Sequence, residues 1–299
     1  MMTITRLAHA KINLTLDVGA RREDGYHEIR SIMQTVTLHD TLTVKRTPER
    51  PGVRLEVVGE EAEGVPADES NLVHRAAVRL QKVAAAQAVV AGNASGLHVT
   101  LHKRIPSQAG LGGGSSDAAA CLLVVRDLLG LSLSPSRLAE IASSLGADVP
   151  FFLRGGTALV EGLGERVAPL PGLTPPWYLV IVKPPVGVST AAAYTALDAQ
   201  SDRTPGRATE AWLGGGRDVG NDFERVVFPL TPEVAASYAL LSQTNGAGEC
   251  FRPLLCGSGS CLFRRVADAR DAERMADVLK NAGVGKVWTT TTIGAEFGG

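Results

Sequence analysis

What the chain lacks narrows its function first. Its 299 residues include only four cysteines and 5% aromatics, and 30 basic residues against 31 acidic ones leave a formal net charge of -1. A chain so close to neutral has no broad basic field with which to grip nucleic acid independently of sequence, so no nucleic-acid partner is expected. No apolar run reaches the ~20 residues of a membrane span, and the opening stretch lacks the charged start, apolar centre and cleavage site of a leader. A cytoplasmic protein with no membrane partner is the expectation. Cys121, Cys250, Cys256 and Cys261 are spaced too widely for a paired structural zinc site, and no histidines accompany them. They read as free thiols. There is no internal repeat.

What remains is ordinary globular composition, 44% hydrophobic and 20% charged, in a chain long enough for two units that each bury a core. Four prolines fall between Pro169 and Pro176, which marks the boundary. The units are therefore expected to be 1–168 and 169–299, with a cleft between them.

The segment that organises the first unit is Pro106 to Ala120, PSQAGLGGGSSDAAA. Before it, Leu97, Val99 and Leu101 alternate with polar residues as in a strand; after it, Ala118 to Val125 is a continuous helix-forming run. A strand enters and a helix leaves. Gly110, Gly112, Gly113 and Gly114 allow positive φ and close backbone approach, and Ser115 and Ser116 are placed to cap the helix. Free N–H groups and the helix dipole then converge on one spot suited to an anion. Ser115 stands where a common phosphate-binding loop has lysine, so this loop carries no cation of its own. Asp117 is read as an acid favoured in the first turn by the dipole.

Elsewhere, Ile12, Leu14, Leu16 and Val18 alternate with Lys11, Asn13, Thr15 and Asp17, which predicts a half-buried strand with Lys11 and Asn13 near a cleft. Asp24-Gly25 signals a hairpin turn, with Tyr26 and His27 on its rim. The pattern predicts helices over Asn71–Ala86, Pro135–Leu145, Pro232–Gln243 and Ala267–Ala282. Strands are expected over Val53–Val58, Phe151–Glu161, Arg166–Leu170, Trp177–Val182, Leu254–Phe263 and Lys286–Ile293. Pro184 to Tyr194 leads into a further helix, and Ser201–Gly220 is expected to be mobile. Asp148 lies beyond a helix end, before a proline.

Three separated segments, AKINL from Ala10, the Pro106–Ala120 loop, and Gly257-Ser258-Gly259-Ser260, resemble the motifs of the GHMP kinases, named for galactokinase, homoserine kinase, mevalonate kinase and phosphomevalonate kinase. RREDGYHEI and LGADVPFFLRGGTALVEGLGE extend the resemblance over nearly the whole chain, Asp202–Gly220 excepted. It implies an α+β fold of two lobes, each a mostly antiparallel sheet packed with helices, with the active site in the cleft. It implies an ATP-dependent small-molecule kinase whose acceptor carries a cytidine diphosphate, in non-mevalonate isoprenoid synthesis. By similarity Asp148 is the catalytic base and Lys11 its partner. Pro106, Ser107, Gln108, Ala109, Gly110, Leu111, Gly112, Gly113, Gly114, Ser115 and Ser116 cradle the ATP phosphates. Asn13, Tyr26, His27 and Tyr194 bind the acceptor, the two tyrosines as stacking faces and His27 as reader of the base edge. Mg2+ accompanies the phosphates, with Ser115 or Ser116 as hydroxyl donor and Ser116 as the chosen ligand. A monomer or homodimer is expected. Two other readings stay open: a GHMP kinase for homoserine or mevalonate, against which the Gly25-Tyr26-His27 segment argues, and a non-catalytic nucleotide-binding regulator, which would have lost Lys11 or Asp148.

Overall fold

The computed structural model describes residues 2–47, 51–87, 96–200, 204–216, 219–243 and 252–295. The chain opens with a long antiparallel hairpin, β1 (Thr3–Arg21) and β2 (His27–Thr47), closed by the Asp24-Gly25 turn, where Gly25 takes φ 84°. After β3 (Val53–Val58), helix α1 (Leu72–Ala86) crosses over to β4 (Gly96–His102), which lies parallel to β3, as a helical crossover requires. Helices α2 (Gly113–Leu128), α3 (Pro135–Ser143) and α4 (Val149–Phe152) follow, then the hairpin β5 (Thr157–Gly162) and β6 (Arg166–Leu170). The 21 residues of β2 are long enough to hold two neighbours on one edge: Ile29–Gln34 pairs with β5 and Thr41–Thr47 with β4.

The second half runs β7 (Tyr178–Lys183), α5 (Thr190–Asp198), α6 (Ala208–Leu213), β8 (Gly220–Asn221), α7 (Glu224–Leu230), α8 (Pro232–Gln243), β9 (Leu254–Leu255), β10 (Leu262–Val266), α9 (Ala269–Asn281) and β11 (Lys286–Thr291). Its sheet has the antiparallel order β11-β7-β10-β9. The first sheet has the order β3-β4-β2-β1-β8, with β5 beside β2 and β6 beside β5.

Three cores hold these layers. One packs α1 to α4 on the first sheet through Leu80, Val99, Leu101, Leu122 and Phe151. A second packs the helices of the second half on its sheet through Val180, Val182, Leu262 and Met275. The third lies between the halves, where Ile12, Leu14 and Ile32 meet Trp177, Leu179, Ile181 and Phe263. Burial of large apolar side chains from both sheets in one layer makes the halves interdependent. The expected boundary at 168 falls inside β6, which continues to Leu170, and β8 of the later half pairs parallel with β1 through Thr15↔Gly220 and Leu16↔Asn221.

Four local expectations need correcting. β1 is buried on both faces, since Lys11, Asn13, Thr15 and Asp17 are all at most 8% exposed. Pro150 lies in the first turn of the short helix α4 instead of preceding a strand, because proline is tolerated there. Helix α2 starts at Gly113 with Gly112 as its left-handed N-cap, so Gly113 and Gly114 are helical and neither Ser115 nor Ser116 caps it. Within the segment expected to be mobile, Asp17 accepts hydrogen bonds from Ala208 and Thr209 N–H (3.1 and 2.9 Å), and Asp222 accepts one from Gly206 N–H (2.9 Å). Residues 204–213 are thereby tied to β1. Cys250 and residues 201–203 and 217–218 lie outside the described residues. Cys121, Cys256 and Cys261 are free and buried, and burial pushes the first two thiols up to about 12. Among the described residues no helix is long and apolar enough to cross a membrane.

The shared layer gives a test. Leu179→Ala, at a site with no exposure, should destabilise the protein by about 2–5 kcal/mol. Trp177, Trp212 and Trp288 all border this layer, so tryptophan fluorescence and far-ultraviolet circular dichroism should report the same shifted midpoint on denaturation.

Candidate active site

The glycine loop spans residues 103–112, between the end of β4 and the start of α2. Gln108, Gly110 and Gly112 have φ of 52°, 74° and 70°, so the chain reverses three times within five residues. Glycine is required at two of these for separate reasons. A Cβ on Gly110 would lie 1.8 Å from the carbonyl oxygen of Cys256, and one on Gly112 would lie 2.8 Å from the Phe152 ring. Gly113 differs from expectation, since its Cβ would face Ile105 and Lys103 behind the loop and not the open side. On the open side stands Gly114, exposed and with no neighbour nearer than 4.0 Å to an added Cβ. The N–H groups of Gly113, Gly114 and Ser115 open α2 and, as in any helix, have no intrahelical acceptor.

β1 meets the loop directly. Lys11 N–H donates to Leu111 O (3.0 Å), and Lys11 Nζ donates to Asn13 Oδ1 (2.8 Å). Asn13 Oδ1 also accepts Gly257 N–H (3.0 Å), while its Nδ2 donates to Ser31 Oγ (2.8 Å). The glycine-serine turn between β9 and β10 closes the third side. Cys261 N–H donates to Ala109 O (3.2 Å), and Asn221 Nδ2 donates to Leu255 O and Gly257 O (2.8 and 2.7 Å). Three segments far apart in sequence are thus joined main chain to main chain.

Asp148 reaches this junction from the turn between α3 and α4. Its Oδ2 lies 3.7 Å from Lys11 Nζ; the lysine side chain is 4% exposed and the aspartate 29%. The cation is enclosed and the carboxylate opens to the cleft. Ser115 is half-buried, with its Oγ toward Gly146 in the same turn, whereas Ser116 is 3% exposed and borders a small cavity with Ala8, Thr35 and Phe152. Among the described residues no three acidic, histidine or cysteine side chains converge on a metal position.

On the rim, His27 and Tyr194 come together while Tyr26 stands apart. The His27 and Tyr194 rings stack at 4.9 Å and 23°, and Tyr194 meets the edge of Phe223 at 4.9 Å. His27 is 7% exposed, with Nδ1 3.0 Å from Gly19 O and Nε2 3.2 Å from Asp198 Oδ1. Tyr26 is 62% exposed. Beside this rim lies an open pocket of about 430 Å³, lined in part by Arg21, Leu197 and Asp198.

Sequence reasoning missed Ser31, Asn221, Phe223 and Asp198, which act as supports and carry no motif signal. It also misread Asp117. That residue is 2% exposed and forms a buried cluster with Lys103 and Asp40. Burial raises the Asp117 carboxyl well above the usual range, offset in part by Lys103. Burial would lower the Lys103 ammonium, but the two carboxylates outweigh it and raise it.

Residues 71–156 match the family described as GHMP kinases N terminal domain. The chain is 44% identical to the 4-diphosphocytidyl-2-C-methyl-D-erythritol kinase of Moorella thermoacetica, over 94% of this chain and 96% of that one. It is 41% identical to the enzyme of the same name from Pelotomaculum thermopropionicum, over 92% and 93%. A crystal structure of 4-(cytidine 5'-diphospho)-2C-methyl-D-erythritol kinase superposes with a TM-score of 0.79 at 34% identity, covering 97% of this chain and all of the other. Homoserine kinase from Cytophaga hutchinsonii shares the fold, with a TM-score of 0.72 at 20% identity and coverage of 98% and 95%. The glycine loop, the lysine strand and the glycine-serine turn thus meet on a known kinase fold, and the chain belongs to the GHMP kinases, within the family of 4-diphosphocytidyl-2-C-methyl-D-erythritol kinases.

Proposed function

We propose that this protein transfers the γ-phosphoryl group of ATP to the 2-hydroxyl of 4-diphosphocytidyl-2-C-methyl-D-erythritol, giving the 2-phosphate and ADP, a step of non-mevalonate isoprenoid synthesis. The observation that carries the reading is the Lys11–Asp148 pair, 3.7 Å apart, on a strand hydrogen-bonded to the glycine loop. Phosphoryl transfer needs little covalent help from the protein; it needs positioning, a proton acceptor and charge stabilisation.

Asp148 accepts the proton of the attacking hydroxyl as the new O–P bond forms and the bond to ADP breaks. Lys11 holds the carboxylate in place and lends its charge to the transferring group. The N–H groups of the loop and of the first turn of α2 bind the phosphates, and Lys11, from β1, supplies the cation that the stretch 106–116 lacks. Mg2+ bound to ATP would draw a hydroxyl ligand from Ser115 or Ser116 and neutralise phosphate charge. Of the two, Ser115 faces the turn that bears Asp148. Tyr26, His27 and Tyr194 hold the cytidine end on the rim, where a flat base is stacked while polar groups read its edge. Asn13 contributes from β1 beside Lys11.

The direct test is ADP release with ATP and the cytidylyl alcohol, compared with the same alcohol lacking the nucleotide. Turnover equal on both would remove the cytidine site from the rim. Asp148→Asn should lower kcat by about 10²–10⁴ with ATP affinity nearly unchanged, since asparagine keeps the shape without accepting the proton. Lys11→Ala should do comparable damage, and the double variant little more, because residues that act as a unit are not additive.

The loop is tested at its open face. Gly114→Val places a side chain in free space on a helical residue, so folding should persist while ATP binding by calorimetry weakens by about tenfold or more. Normal binding would exclude the loop as the phosphate site. On the rim, Tyr26→Ala should raise KM for the cytidylyl alcohol far more than for ATP, a stacking loss of about 1–3 kcal/mol.

A further inference from the structure

Three buried titratable side chains sit directly behind the glycine loop, and the transfer chemistry does not use them. Lys103, where β4 gives way to the loop, donates through Nζ to Asp40 Oδ2 on β2 and to Asp117 Oδ2 on α2, the latter at 2.7 Å. The three side chains are 4%, 0% and 3% exposed. Asp40 Oδ1 accepts the N–H groups of Arg104 and Ile105 at 2.5 and 2.8 Å. Asp117 Oδ1 is buried without a hydrogen-bond partner.

Stability alone is a weak reason for such a cluster, because apolar side chains filling the same space are often at least as stabilising as buried ions. Position supplies a better one. The backbone of Lys103 is fixed to the end of β3, its N–H donating to Val58 O (2.7 Å) and its carbonyl accepting Glu61 N–H (3.2 Å). Only its side chain crosses to α2, where its ammonium lies 3.3 Å from the place a Cβ on Gly113 would take. Between Lys103 and α2 the chain passes through three positive-φ residues. The loop's own main-chain ties run to β1 and to the glycine-serine turn, through Leu111 O and Ala109 O, whereas the Lys103 side chain ties the end of β4 directly to α2. Two charge-assisted hydrogen bonds from one ammonium, to acids on two different elements, add short ties at this point to the apolar packing of α2.

We propose that Lys103 is a positioning residue for phosphoryl transfer, and that with Asp40 and Asp117 it sets the height and rotation of the first turn of α2 relative to the sheet. The N–H groups that meet the phosphates are carried by that turn, and displacement of about 1 Å at such a site is enough to lose much of the rate. The inference rests on the loop being the phosphate site. It concerns nucleotide alignment and leaves the rim untouched.

The decisive variant is Asp117→Ala, which cuts the arm to α2 and leaves the Lys103–Asp40 pair intact. KM for ATP should rise about tenfold, with KM for the cytidylyl alcohol within about twofold of wild type. Asp117→Asn should restore the ATP value, because its carbonyl oxygen still accepts from Lys103. Lys103→Arg keeps the charge but displaces the donors. It should raise KM for ATP in the same selective way, and it decides the matter if Asp117→Ala does not fold. The proposal is overturned if Asp117→Ala or Lys103→Arg lowers Tm while the two KM values keep their wild-type ratio, or if Asp117→Asn is as impaired as Asp117→Ala. Gly114→Val separates the two readings. If it binds ATP normally the loop is not the phosphate site; if it fails to bind while Asp117→Ala is normal, only the positioning role falls.

Discussion

One buried carboxamide fixes the relation between the parts of this molecule. Asn13 accepts from Lys11 Nζ and from Gly257 N–H through one oxygen, and donates to Ser31 through its nitrogen. With 1% exposure it has no water to fall back on. Leaving such a group unpaired costs about 1–3 kcal/mol, and a slip of one residue in β1 would turn Asn13 and Lys11 to the apolar face and Ile12 to the polar one. The register of the central hairpin, the orientation of the active-site cation and the seating of the glycine-serine turn are therefore one constraint.

Backbone contact, more than side-chain packing, makes the junction rigid. Leu111 O meets Lys11 N–H, Ala109 O meets Cys261 N–H, and the α-carbon of Gly110 lies against the Cys256 carbonyl. Main chain cannot repack as side chains do. Glycines at these points are what allow two sheets, sharing a core of Ile12, Leu14, Leu179 and Ile181, to bring three loops to one place.

A net charge of -1 conceals a divided distribution. Asp17 and Asp222 are spent on the backbone of 206–209 and on Val18 N–H, and Asp40 and Asp117 on Lys103. Among these buried carboxylates and Asp148, the last differs in keeping 29% of its side chain open while still facing a cation. A carboxylate that must take a proton from a ligand has to be reachable as well as held, and this is where those two demands meet.

The sequence by itself determined those features whose cause is local. Alternation marked β1, a continuous apolar run marked β7, the polar residues Ser70-Asn71 and Ser134-Pro135 marked the starts of α1 and α3, and the strand–glycine–helix order marked the loop. With the family resemblance, Lys11 and Asp148 were legible as a pair 137 positions apart, and the structure brings them together. Tertiary structure decided what depends on neighbours distant in the chain. It buried the polar face of β1, which alternation alone reads as solvated, because α6 and the glycine-serine turn cover it. It anchored 204–213 through Asp17 and Asp222, acids whose partners are backbone N–H groups with no sequence signature. It turned Asp117 from a helix-end acid into one arm of a buried cluster, because only folding brings β2, β4 and α2 to the same point. Periodicity records which face of an element avoids water. Which polar groups meet across the interior is a matter of topology, and only the assembled chain sets it.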